Sequence, residues 1–460
     1  MTSEIVLSFY GDDFTGSTDV MESLSMNGVP TALFLHPPTP KEVRQFTLKN
    51  KYVSEDGKLL AFGVPGIARS LSPEEMDKEL PPIFAQISQI PSRYFHYKIC
   101  STFDSSPHIG NIGHATEIAL HYFNSPCIPL VVGIPLLNRF CVFGNLFARV
   151  DNTVYRIDRH PTMSKHPITP MKEANLVQHL GLQTERQIHQ INVLELEGED
   201  GGHKTYEHLA TKKSYILFDV LRDGHLRQIG KLLGKRGKAQ PQLVVGSSAV
   251  SYALCHYWNE TGFLNRPKLP KKAQKSKNFI VIAGSCSPRT AEQIAHGLAI
   301  GFKDIQLKTL QLIKDKESEI QRCTKKCLEI LGKDKVPILY SALGPDDSAI
   351  ENTKKAMEKS SAHISVGAFL GTSQGTILKN VIDGIGNIRI CVAGGDTSGY
   401  VSKALEIYAL ELLTPIAPGS PLCLAHSRNA KYDGLELALK GGQNGSPKYF
   451  ECIRNGVIDN

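Results

Sequence analysis

The sequence predicts an α/β protein of two domains, each a mainly parallel sheet flanked by helices, and three observations carry that prediction. At 460 residues the chain exceeds what one ordinary core organises. Apolar β-type runs alternate with helix-period stretches in both halves, the pattern of parallel strands covered on both faces. Between the halves RPKLPKKAQKSK (266–277) is hydrophilic, proline-broken and without period. A linker is therefore expected at 263–278, between domains at 1–262 and 279–460.

In the first half the strand-like runs are EIVLSFY, TALFLH, KLLAFGV, YFHYKI, CIPLVVGI, QINVLELE, SYILFDV and QLVVGSS. SPEEMDKELPPIFAQIS reads as a helix: Ser72 caps it, Pro73 takes the first helical position and Glu75 completes a capping box. In the second half NFIVIAGS, VPILYSALG and IRICVAGG are strand-like, and RTAEQIAHGLAIG, AIENTKKAMEKSS and YVSKALEIYALELL have helical period. Ligands of such sheets sit beyond the carboxyl ends of strands, so the residues just after each strand matter most.

The formal charge of +7 is concentrated in 230–240 and 266–277, where no aromatics interleave and no nucleic-acid motif appears. These runs read as a solvated turn and a linker, and no nucleic-acid partner is expected. IPLVVGIPLL (128–137) is too short and proline-broken to span a bilayer, and MTSEIVLSFYGDD lacks a basic start and cleavage site, so a cytoplasmic protein without a membrane partner is expected. Ten scattered cysteines read as reduced thiols, and the C-x3-C pair Cys323 and Cys327 reads as a helix face, since no further ligand completes a zinc set.

Four constellations could carry chemistry. In YGDDFTGSTDVMESL, Asp12 and Asp13 follow the first strand; such a pair could bind magnesium or take a proton from a substrate hydroxyl, while Asp13 or Thr15 could equally cap the next helix. The segment 98–113, which opens with KICSTFD and closes with HIGNIG, offers a cation, an acid and several hydroxyls, suited to a polar anionic ligand or to a plain Ser/Asp-rich connection. The proline-bounded loop YRIDRHPTMSKHPITPM (155–171) carries Arg156, Arg159, His160, Lys165 and His166, cations able to clamp a carboxylate or simply to be solvated. Finally AGSCSPRT (283–290), AGGDTSG (393–399) and LKGGQNG (439–445) are glycine- and hydroxyl-rich, the first two at strand-to-helix junctions whose N–H groups suit phosphate. Two such loops and a third glycine cluster in one domain point to a nucleotide. Neither G-x-x-x-x-G-K-[ST] nor G-x-G-x-x-G occurs, which sets aside a P-loop protein and a dinucleotide dehydrogenase.

In order along the chain, DDFTG, DSS with GNIG, HPITPM, GSCSPRTAEQ and GGDTSG resemble the motifs of the four-carbon acid sugar kinase family, over nearly the whole chain. The resemblance implies an N-terminal domain that binds a sugar acid and a C-terminal domain that binds ATP with Mg2+. It also implies transfer of phosphate to a terminal hydroxyl in an active-site cleft between the domains. Carried over by motif, Asp12, Asp13, Lys98, Asp104 and Ser105 lie at the acceptor. Ser285, Gly394, Gly395, Asp396, Thr397, Gly441 and Gly442 lie at the nucleotide. The family loop DSTLRGN corresponds here to Asp104 through Asn111, with one residue more: its arginine is missing and His108 lies near its place. A histidine does not replace a bidentate arginine in kind. The acceptor that the resemblance implies is a threonate- or erythronate-like acid or, as in the branch with kinases for 3-oxo-isoapionate that the chain resembles more, an acid of that type. Arg156, Arg159 and His108 join the expected acceptor site, Asp13 is expected to deprotonate the acceptor, no separate metal site is assigned, and a homodimer is left open. A sugar-acid or nucleotide sensor without turnover, and a metal-dependent phosphatase using the aspartates, are the alternatives.

Overall fold

A computed structural model describes residues 4–166, 168–236, 242–264, 272–359 and 364–459. The chain forms two compact units, Met1–Lys268 and Leu269–Asn460. Residues 265–271 of the expected linker, 237–240 of the first basic run, Pro167 of HPITPM and 360–361 of AIENTKKAMEKSS lie outside the described residues.

The first unit holds β1 (Ile5–Gly11), β2 (Thr31–Phe34), β3 (Ala61–Pro65), β4 (Ser92–Lys98), β5 (Ile128–Val131), β6 (Arg139–Val142), β7 (Asn145–Val150), β8 (Thr153–Arg156), β9 (Ile188–Ile191), β10 (Tyr215–Phe218) and β11 (Gln242–Gly246). Its main sheet runs β2-β3-β1-β4-β11-β5-β10-β9 with every neighbouring pair parallel. Every residue of β1, IVLSFYG, is buried, as a strand covered on both faces requires. Gly11 is level with Pro65 and Lys98, and Gly246 with Lys98 and Val131, so these strands end on one line. From β1 the chain runs to β3 on one side and later to β4 on the other, which makes the end of β1 the switch point where such sheets open a crevice. Beneath that line the Tyr10 and Tyr97 rings stack at 6.2 Å and Phe84 meets Tyr10 edge-on at 5.3 Å, a rigid base for the residues that follow.

The second unit holds β12 (Phe279–Ala283), β13 (Lys303–Gln306), β14 (Pro337–Tyr340), β15 (Arg389–Ala393), β16 (Ile407–Ala417), β17 (Ser420–Ser427) and β18 (Glu436–Lys440). Its order is β13-β14-β12-β15-β18-β17-β16, parallel through β18 and antiparallel beyond. The switch point lies between β12 and β15. Both sheets are thus mainly parallel and flanked by helices, the class the alternating pattern predicted.

The predicted capping box at Ser72 and Glu75 is present, with Ser72 N–H donating to Glu75 Oε2 at 2.8 Å and Glu75 N–H to Ser72 Oγ at 3.3 Å. Cys323 and Cys327 are both buried on the helix Lys316–Leu331. Three readings need correction. QINVLELE is only the end of β9, after which Asn192 caps the helix Val193–Glu197 with a full capping box. Residues 139–156 form a separate antiparallel sheet, β6-β7-β8. The helix after GGDTSG ends at Ala404, and IYALELLTPIA is β16, folded onto β17 by a turn with Gly419 at φ +69°.

Candidate active site

In the first unit, the turn after β1 brings two carboxylates under one guanidinium. Arg69, just beyond β3, donates Nε–H to Asp12 Oδ2 at 3.2 Å and Nη2–H to Asp12 Oδ1 at 2.9 Å, and its Nη1 lies 2.9 Å from Asp13 Oδ2. Backbone pairing fixes this: Gly66 N–H donates to Gly11 O at 2.8 Å, Arg69 N–H to Asp12 O at 3.1 Å and Asp12 N–H to Lys98 O at 2.9 Å. Gly110 packs so tightly on Arg69 that an added Cβ would lie 2.7 Å from the Arg69 carbonyl oxygen. The pair is asymmetric. Asp12 is buried, with 6% of its side chain exposed, while Asp13 shows 29%. Burial pushes Asp12 up to about 6 against the pull of Arg69, with Asp13 adding to the rise. Asp13 caps the helix Phe14–Met26 through Oδ1, which accepts from Gly16 N–H at 2.7 Å.

Lys98 ends β4, is buried, and donates from Nζ to Ile99 O at 2.9 Å. Its ammonium group lies over Gly16, where an added Cβ would sit 2.7 Å from Nζ. The turn after β4 holds Phe103 at φ +58°, a strained conformation for a bulky residue, and the next residue, Asp104, is buried and accepts from Thr102 Oγ1. Cys100, whose Sγ lies 2.8 Å from Thr102 Oγ1, is within electrostatic reach of these groups. Its thiol is pushed up to about 11 by burial, with Asp104 adding to the rise and Arg69 and Lys98 opposing it.

Asp12, Asp13, Lys98 and Asp104 are therefore brought together, and the other expected acceptor residues are not. Ser105 faces inward, its Oγ accepting from Gln183 Nε2 at 2.9 Å and lying 3.0 Å from His179 Nε2, so it fastens the loop. His108 is exposed at the tip of a turn closed by Ser106. Arg156 is exposed and spends its Nε and Nη2 on Asp158 at 3.1 and 3.0 Å, and Arg159 is 81% exposed beside the same carboxylate at 3.8 Å. Asp158 pairs bidentately with Arg156 alone, and Arg159 extends into solvent beside it. Arg69 was not expected in the site: it follows the strand KLLAFGV, but GIARSL carries no motif.

In the second unit the three glycine-rich loops meet. Gly284 and Ser285 N–H groups both donate to Ala393 O, at 2.9 and 3.0 Å, and Gly394 N–H donates to Lys440 O at 2.9 Å. Ser287 caps the helix Pro288–Ala299, and its Oγ donates to Gly442 O at 2.6 Å, joined there by Thr290 Oγ1 at 3.0 Å. An added Cβ on Gly442 would lie 2.4 Å from Ser285 Oγ, and Gly394, at φ +133°, opens the helix Gly395–Ala404. Two helix N-termini thus point out of adjacent strand ends, with Gly395 and Asp396 exposed and Thr397 buried on the first turn of the second. Gly441 accepts from Asn444 N–H at 3.3 Å in the third loop. Lys440, hidden in LKGGQNG by its glycines, is buried and reaches Gly442 O at 3.2 Å. Burial pulls it down to about 8; Cys391 opposes the fall and Arg289 adds to it. This arrangement suits phosphate. Among the described residues no group of three or more acidic, His or Cys side chains could hold a metal alone.

Residues 7–254 match the family model for a sugar-binding N-terminal domain, and residues 280–450 that for a nucleotide-binding C-terminal domain. The class that fold and site define is a sugar-acid kinase, and the chain belongs to the four-carbon acid sugar kinase family. A 3-oxo-isoapionate kinase from Paraburkholderia graminis is 38% identical over 458 residues, covering 99% of this chain and 95% of that protein. A 3-oxo-tetronate kinase from Pectobacterium atrosepticum is 27% identical over 453 residues, covering 97% and 98%. A crystal structure from Salmonella typhimurium, described as a putative tRNA synthase, superposes with TM-score 0.76 at 23% identity over 98% of each chain, a likeness of fold alone. Among the described residues no helix is long and apolar enough to cross a membrane.

Proposed function

We propose that the protein transfers the terminal phosphate of ATP to a terminal hydroxyl of a small sugar acid, and that a branched oxo-acid of the 3-oxo-isoapionate type is its acceptor. The observation that carries this reading is the aspartate pair held by Arg69 beside Lys98 at the switch point of the first sheet.

Each Asp13 oxygen has one donor and keeps a second acceptor position, so Asp13 accepts the proton of the acceptor hydroxyl. Asp12 holds the guanidinium that orients it, and Lys98 supplies positive charge next to the incoming oxygen. Asp104 accepts from another hydroxyl of the acid. In the second unit the N–H groups after Ser285 and Gly394, with Thr397 and Lys440, hold phosphate oxygens. When bound, magnesium-ATP supplies the phosphoryl group, and Mg2+ fits here as an ion carried largely by phosphate, with Asp396 as the exposed carboxylate at that helix start. None of the ten cysteines forms a disulfide, which accords with a cytoplasmic location. Support for the branched acceptor comes from the relative at 38% identity and from the altered loop at 104–111.

Incubation with ATP, Mg2+ and 3-oxo-isoapionate, followed by mass analysis, should yield the acid one phosphate heavier. Phosphate release without a phosphorylated acid would instead support the phosphatase reading.

A further inference from the structure

The loop that loses the family arginine leaves open which group holds the acceptor's carboxylate. Two donors outside that loop are built for it. Arg139, first residue of β6, spends Nη1 on the Leu137 and Asn138 carbonyls at 3.0 and 3.3 Å. Its Nε–H is buried with no acceptor among the described residues. The edge that remains, Nε with Nη2, is the one that Arg69 presents to Asp12, Arg186 to Glu117 and Arg93 to Glu4 in this same molecule. It pairs with both oxygens of a carboxylate.

His160 supplies the second donor. It is 5% exposed, and its Nδ1 accepts from the Thr162 and Met163 N–H groups at 3.2 and 3.1 Å. A neutral ring so held carries its proton on Nε2, and that nitrogen is buried without a partner among the described residues. Burial, with Arg139 adding, pulls the ring's pKa down and keeps it neutral.

The fold sets the two along one row of the small sheet, within electrostatic reach of each other. Arg139 pairs with Ala148 and Ala148 with Tyr155 across β6, β7 and β8, and the His160 ring meets that of Tyr155 edge-on at 6.3 Å. The hairpin is fastened at the carboxyl edge of the main sheet: Ile134, just past β5, exchanges N–H···O bonds with Arg139 at 2.9 and 3.1 Å. The buried Asp219 accepts from the Phe143 and Gly144 N–H groups at its far end, at 2.6 and 3.0 Å. Arg139 also lies within electrostatic range of Cys100, on the turn that carries Asp104.

We propose that Arg139 and His160 form the seat of the acceptor's carboxylate, standing in for the arginine absent from the loop at 104–111. This rests on the sugar-acid reading above.

The test is titration calorimetry of the full chain with threonate, erythronate and 3-oxo-isoapionate, with the polyols threitol and erythritol as probes lacking the carboxylate, alongside steady-state kinetics. Arg139→Met should weaken acid binding about 10- to 100-fold and raise KM far more than it lowers kcat. It should leave polyol and nucleotide binding unchanged, and Arg139→Lys should restore part of the loss. His160→Asn keeps an oxygen where Nδ1 accepts, so the loop stays folded, and should weaken acid binding roughly 3- to 10-fold with an unchanged melting temperature. Wild-type affinity for acids in both variants, or equal losses for acid and polyol, would overturn the seat while leaving the kinase intact. Failure of the wild-type protein to bind any acid would overturn the sugar-acid reading and the seat with it.

Discussion

Asp13 serves the fold and the proposed chemistry through different oxygens, one capping a helix and one facing Arg69. Asparagine caps as well as aspartate but cannot take a proton. Asp13→Asn should therefore keep the melting temperature and nucleotide affinity of the wild-type protein while kcat falls about 10²- to 10⁴-fold; undiminished turnover would remove Asp13 from the reaction. Asp12 makes a separate pH prediction. Burial raises it to about 6, above its ordinary 3.8, so the ionised pair is present above about 6 and is lost as pH falls through that value. The same sign means that its ionisation opposes folding, so stability associated with Asp12 rises as pH falls from about 6 toward 3.8. An acid limb in kcat/KM near 6, without a matching loss of folded protein, is the expected profile. Both aspartates were legible because they directly follow a strand. Arg69 was not: it reaches Asp12 across 57 residues, through a strand pairing that no local signal announces. Arg156 was placed by its charge alone, and its pairing with Asp158 two residues on is a local contact that the cation-rich loop did not announce.

Glycine clusters show at the level of elements what short range can and cannot reveal. The three loops of the second unit were legible because tight turns at strand ends demand glycine, and Gly394 at φ +133° is such a demand. Lys440 shares one of these loops and gives the element its own test. Its pKa is drawn down to about 8, and a bound phosphate favours the protonated form. Nucleotide affinity should thus be full below about 7 and weaken roughly tenfold as pH rises through about 8 to about 9.5, a slope that Lys440→Met abolishes. A pH-independent dissociation constant in the wild-type protein would place Lys440 away from phosphate. β16 was misread as helix because apolar residues in LEIYALELL satisfy both periods, and the antiparallel pairing with β17 decides between them. The β6-β7-β8 sheet was missed although FGN and VDNT are turn signals, because strands this short carry too little alternation to stand out beside the buried parallel runs.

At the scale of the molecule, two units each place their polar residues at their own switch point: the first gathers an acid pair and a lysine, the second phosphate-type loops. Alternating strands and helices made this architecture readable, and the order of the motifs made the family readable. The identity of the acceptor was less so, because one missing arginine says what is lost and not what replaces it. The central claim is acceptor phosphorylation, and it is tested most directly by kcat/KM for phospho-acid formation from ATP across threonate, erythronate, 3-oxo-tetronate and 3-oxo-isoapionate. The expected result is a phosphorylated product in every productive case, with the branched oxo-acid turned over at least about tenfold more efficiently than threonate or erythronate. Absence of any phosphorylated acid across this set, from protein that binds ATP, would contradict it.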